Sequence, residues 1–251
     1  MTNQPLSTER IISKLDEHLH KNDYISAERH LLYWLDEAKR IDDSRAELLI
    51  CNELMGLYRK TGRRDEALAF ARNALDTVEK LNISSTVGAG TAYLNAATVY
   101  KAFSMPEKSI ALFERAREIY ERELDSTDDR MAGLYNNMAL TLVDLERYDE
   151  AEGMYKKAIR IMENSEDGAP SAAITYLNLA NAAETRLGLV EAEEIISDHL
   201  ARARELLENH KKFDGNYAFV CEKCASVFDY YGYFVYTAEL KERARRIYEG
   251  A

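Results

Sequence analysis

Small and apolar residues recur along this chain at steps of four and three. Ala67, Ala71 and Ala74 form one set, Ser109, Phe113 and Ala116 a second, and Ala151, Tyr155 and Ala158 a third. That spacing puts each set on one face of a helix. Residues 189–199 keep Ala192 and Ile196 but carry His199 in the last place, where it reads as a hydrogen-bonded core residue. Upstream of the last three sets lies a different frame, Tyr-x-Asn-x-Ala, in YLNAATVY (93–100), YNNMALTL (135–142) and YLNLANAA (176–183), at spacings of 42 and 41. Each unit is therefore a helix, a short turn and a second helix. The turns hold Gly62, Ser104, the Glu146–Arg147 pair and Gly188. Ser104, ahead of Pro106 and Glu107, reads as a cap on the next helix.

Polar loops at 41–45, 81–86, 125–130, 164–171 and 209–216 separate the units. The same period extends the pattern to both ends. Segments 221–228 and 235–248 form a last hairpin around Gly232, and segments 10–19 and 24–35 a weaker first one. The prediction is a single all-α domain over 1–251, with six hairpins at about 8–41, 46–82, 86–124, 129–164, 170–208 and 215–249. One hairpin cannot bury its apolar faces alone, so hairpins stack into a solenoid. Tyr93, Tyr135 and Tyr176 are expected as wedges and Ala97, Ala139 and Ala180 as the holes they fill, with the first helices forming an inner surface.

Composition narrows the function. Hydrophobic residues are 46% and charged residues 31%, with only three prolines and eleven glycines, as suits a folded, helix-rich chain. A net charge of −11 argues against nucleic acid and against anionic membranes as partners. No apolar run approaches the roughly 18 residues of a membrane span, and MTNQPLSTER does not read as a secretion signal, so a cytoplasmic location is expected.

Leu57-Tyr58 before Gly62, DEALAFARNA (65–74) and NNMALTLVDLERYDEAEGMYKKAIRI (136–161) together resemble tetratricopeptide repeats. The repeat length resembles the longer variety found in kinesin light chains and in bacterial peptide-sensing regulators. The resemblance implies a right-handed superhelix that binds a peptide or protein segment in its concave groove, without catalysis and without a cofactor. It also implies that asparagines at the matching place grip a bound peptide's backbone, an amide offering one donor and one acceptor to a group that offers the same. Here those positions are Asn95, Asn137 and Asn178; the alternative is that they brace neighbouring helices. The flanking units carry Ser13, Glu53 and Lys223 there, so the ladder is incomplete.

Helical periodicity adds groove neighbours: Asn52, Glu53, Arg59 and Lys60; Leu94, Thr98 and Lys101; Asn136, Leu140 and Asp144; and Leu177, Asn181 and Glu184. Arg59, Lys60 and Lys101 would make a basic end suited to an acidic ligand, or would simply be a solvated face. The lysine, asparagine and arginine set of the family's carboxylate clamp is absent from any three successive units.

Other motifs read as structural. Cys221 and Cys224 form a CxxC on a packing face with no preceding strand and no second ligand pair, so buried thiols are expected rather than a redox or metal site. The five histidines do not cluster, and GAG at 88–90 lacks the strand a dinucleotide loop needs. In FDYYGYFVY (228–236), Phe228, Tyr231 and Phe234 are expected to close the last core. An interface with a second copy is the alternative, with KERARR (241–246) as partial polar cover. Three functions follow: an interaction scaffold, a peptide-responsive sensor, or a self-assembling module that pairs as a homodimer through the C-terminal hairpin.

Overall fold

The computed structural model describes residues 5–250. Among them are twelve α-helices and no strand. They run α1 Thr8–His20, α2 Tyr24–Arg40, α3 Ser44–Lys60, α4 Arg64–Lys80, α5 Val87–Ala102, α6 Pro106–Glu123, α7 Asp129–Asp144, α8 Tyr148–Asn164, α9 Ala169–Leu187, α10 Glu193–Asn209, α11 Gly215–Tyr230 and α12 Phe234–Glu249. The fold class is an all-α repeat solenoid of helical hairpins. The chain divides into two compact units, the first through Glu123 and the second from Leu124. In the first, α3 packs on α4 and α5 on α6, and α3 also touches α5. In the second, α7 packs on α8, α9 on α10 and α11 on α12, while α9 touches both α7 and α11.

The turns explain the regularity. The N–H of Met105 donates to the Tyr100 carbonyl, and the N–H of Ser104 donates to that of Lys101. This double bond closes a helix on a left-handed residue. The same pair recurs with Asn22, Asp42, Gly62, Asn82, Glu146 and Gly232 as the left-handed residue. Ser104, at φ +58°, thus ends α5 and does not cap α6, correcting the sequence expectation. Gly188 differs: its φ of +87° is followed by extended ψ and a looser turn before α10.

Packing uses small residues as expected. Ala97, Ala139 and Ala180 are fully buried, and Tyr93 and Tyr135 are buried beside them. Gly90 shows how close the helices come: a Cβ there would lie 2.7 Å from Cε1 of Tyr120, so the GAG segment serves helix contact. Tyr176 is only half-buried, its hydroxyl donating to Glu163 Oε1 at 3.3 Å. Tyr176 packs at the edge of the second unit's core, whose buried residues include Leu177, Ala218, Cys221 and Cys224.

Two further expectations change. His199 is half-buried, not a core residue; Leu200 and Ala203 fill the face beside it. Phe228 is buried as expected, but Phe234 is 68% exposed and Tyr236 takes its place, its ring 4.8 Å from Phe228 edge-to-face. Arg245 and Arg246 both pair with Glu242, and Arg245 also with Glu249, so α12 covers its outer face with ion pairs along its own helix.

Candidate functional site

Within the first unit, α3 and α5 bring two asparagines together. Asn52 Nδ2 donates to the Leu48 carbonyl of its own helix at 3.1 Å. That fixes the amide and leaves Oδ1 to accept from Asn95 Nδ2 at 3.3 Å. Leu94, Thr98 and Lys101 lie half-buried on the same helix as Asn95, while Arg59 and Lys60 are exposed. The Lys60 ammonium sits over the Tyr24 ring, 5.1 Å from its centre. Glu53 is half-buried. Loss of solvent raises its pKa first, and the charge of Asp16 adds to the shift.

The second unit repeats the arrangement one hairpin pair later. Asn136 Oδ1 accepts from Asn178 Nδ2 at 3.0 Å and from Thr175 Oγ1 at 3.2 Å. These bonds tie α9 to α7 through side chains. Asn137 is half-buried, and its side chain makes no hydrogen bond among the described residues. Leu177 is 1% exposed and belongs to the core, because α11 covers its face; it is not a groove residue, correcting the helical-period assignment.

Asn181 and Glu184, further along α9, meet the end of α11. Asn181 Oδ1 lies 3.0 Å from the Tyr231 hydroxyl, whose one hydrogen goes to the nearer Glu184. Glu184 accepts from Tyr230 at 2.6 Å and from Tyr231 at 2.7 Å, one on each carboxylate oxygen. The carboxylate raises the pKa of Tyr230; for Tyr231 burial is the larger cause and the carboxylate adds to it. An open cavity of about 510 Å³ lies here between α9 and α11. Sequence reasoning named Asn181 and Glu184 but missed the two tyrosines as their partners. The available signal is the aromatic run itself, in which the sequence reading gives Tyr231 to the core and Tyr230 no role.

A second cavity of about 240 Å³ lies at the irregular α9–α10 turn, lined by Tyr148, Leu179, Leu187, Ile195 and His199 among others. Burial lowers the pKa of His199, so its ring is neutral near pH 7. Cys51, Cys221 and Cys224 are buried free thiols, and burial pushes Cys51 up to about 12. Among the described residues, no three His, Cys, Asp or Glu side chains group as a metal site would need. No described helix is long and apolar enough to cross a membrane.

Helical hairpins repeating at a fixed period, all but the α9–α10 hairpin closed by one turn type, define an α-hairpin repeat protein. The Tetratricopeptide repeat family model matches residues 45–122 and 130–205, more than half of the chain, and the protein belongs to that family. No curated protein matches it by sequence. Solved structures show the same fold. BtubC (BKLC) from P. vanneervenii is 20% identical, with 98% of this chain and 92% of that chain covered and a TM-score of 0.54. A kinesin light chain-type protein of Podosopora anserina with nearly identical TPR-like repeats is 19% identical, covering 81% and 95%, with a TM-score of 0.56. NprR in complex with its cognate peptide NprX is 15% identical, covering 97% and 68%, with a TM-score of 0.63. At such identities the likeness establishes the fold alone.

Proposed function

We propose that this protein is a non-catalytic interaction scaffold that binds a peptide or protein segment on the faces of its first helices. The observation that carries this is the repeated amide pairing, Asn52 with Asn95 and Asn136 with Asn178, on half-buried surface. The repeat does not require amides there, since Ser13, Glu53 and Lys223 stand at the frame position in the flanking units. An extended backbone does need them, because each peptide group must exchange its water for a donor and an acceptor. The fold shared with NprR, a protein solved in complex with its cognate peptide, supports the same reading and favours a peptide-responsive sensor as the second one.

The test is selection of a displayed library of random twelve-residue peptides. The targets are the wild-type chain and an Asn95/Asn137/Asn178→Ala variant of matched helicity and melting temperature. Peptides enriched by wild type and lost by the variant support the proposal. Peptides held equally by both move the site off this face. Failure to enrich any peptide overturns the proposal.

A further inference from the structure

Glu184 is placed unlike the other groove carboxylates. It is half-buried on α9, each of its oxygens accepts from a different tyrosine, and it has no ion-pair partner among the described residues. A carboxylate beside the protein's own cations would be expected to pair. Arg186, two residues on, is held by Asp149 at 2.7 Å, and Lys223 of α11 lies over the Phe219 ring. Two O–H donors fix the orientation of the Glu184 carboxylate. Two hydrogen bonds also leave about half of its lone-pair directions open.

The surroundings suit a cation. Tyr230 is 66% exposed and packs edge-to-face on Tyr231, with ring centres 5.0 Å apart. The cavity of about 510 Å³ beside them is large enough for one long side chain, and its walls add the Asn181 amide and the Ser226 hydroxyl. An aromatic face next to a fixed carboxylate attracts a guanidinium or ammonium group by both ring quadrupole and charge. The protein's net charge of −11 would draw such a ligand in from solution.

We infer that the α9–α11 site reads a basic side chain, arginine or lysine, of the bound peptide. Glu184 supplies the charge, and Tyr230 and Tyr231 hold it and provide the stacking surface. This rests on the peptide-scaffold reading above and adds the chemistry of one ligand position. It also differs from the acidic ligand that Arg59, Lys60 and Lys101 suggested from sequence.

The same peptide library tests it. Enriched peptides should share one arginine or lysine at a fixed position. For a synthetic copy of the best peptide, Glu184→Gln should weaken binding about tenfold, the scale of one charge-assisted contact. Tyr230→Leu, which keeps the charge, should weaken it less. Replacing the fixed arginine by citrulline should abolish the difference between wild type and Glu184→Gln. Enriched peptides without a fixed basic residue, or equal binding by wild type and Glu184→Gln, overturn the inference while leaving the scaffold reading intact. Failure to enrich any peptide overturns both.

Discussion

Asn178 of α9 donates to Asn136 of α7 at 3.0 Å, and 42 residues separate the two. Asn95 donates to Asn52 across the corresponding pair of helices, α5 and α3, at 3.3 Å and a separation of 43. The donor in each pair belongs to the Tyr-x-Asn-x-Ala frame, and the acceptor lies one hairpin, two helices, earlier. Asn95 and Asn178 therefore link successive hairpins through their side chains, while Asn137, in the same frame, makes no such bond among the described residues.

Asn136 accepts two side-chain hydrogen bonds, so Asn136→Ala should destabilise the protein by about 1 kcal/mol. Its effect should not add to that of Asn178→Ala, because both remove one shared bond. Urea denaturation of the two single variants and the double variant measures this. Strict additivity would show that the bond contributes nothing.

Glu146 holds a left-handed φ of +58° in an exposed turn where Gly62 and Gly232 stand in the matching turns. Glu146→Gly relieves the Cβ clash and should stabilise by about 0.5–1 kcal/mol after the added chain entropy. Gly62→Ala should cost a similar amount. Thermal melts of the two variants should move in opposite directions.

All three cysteines are buried, and burial raises the thiol pKa of each. At pH 8 the native protein should give almost no reaction with a disulfide reagent such as dithionitrobenzoate, because both thiolate and access are lacking. In strong denaturant three equivalents should react. A fast-reacting native thiol would restore a redox reading of the CxxC.

Asp128 caps α7 by accepting from the Arg130 N–H at 2.9 Å. The Arg130 side chain first, and that N–H second, hold its carboxyl down at about 2. A depressed pKa contributes stability above the unfolded value of about 3.9, lost as pH falls towards 2. Wild type should therefore exceed Asp128→Asn in stability at pH 6, with the gap closing between about pH 4 and 2. Melting temperatures across that range check the sign, and a gap that widened in acid would refute it.

The hairpins were legible because a helix face has a fixed period. Ala67, Ala71 and Ala74, or Ala151, Tyr155 and Ala158, can share a face in only one local structure, and the six-fold recurrence then demands stacking. The turn positions at Gly62, Ser104, Glu146–Arg147, Gly188 and Gly232 were legible from the repeat. A Schellman closure accepts residues other than glycine at a cost, so the left-handed role of Ser104 and Glu146 carries no comparable signal. Ser104 was read as a cap for that reason.

The sequence by itself determined the repeat and the helices, because these depend on neighbours three to seven positions away. Tertiary structure alone decided which surface residues meet. Leu177 lies at a position whose counterpart Leu94 stays half-buried, but the next hairpin covers it. Glu184 gains two tyrosine donors from a helix 46 and 47 residues further on. Such contacts depend on the distance and rotation between packed helices, which no single helical period encodes.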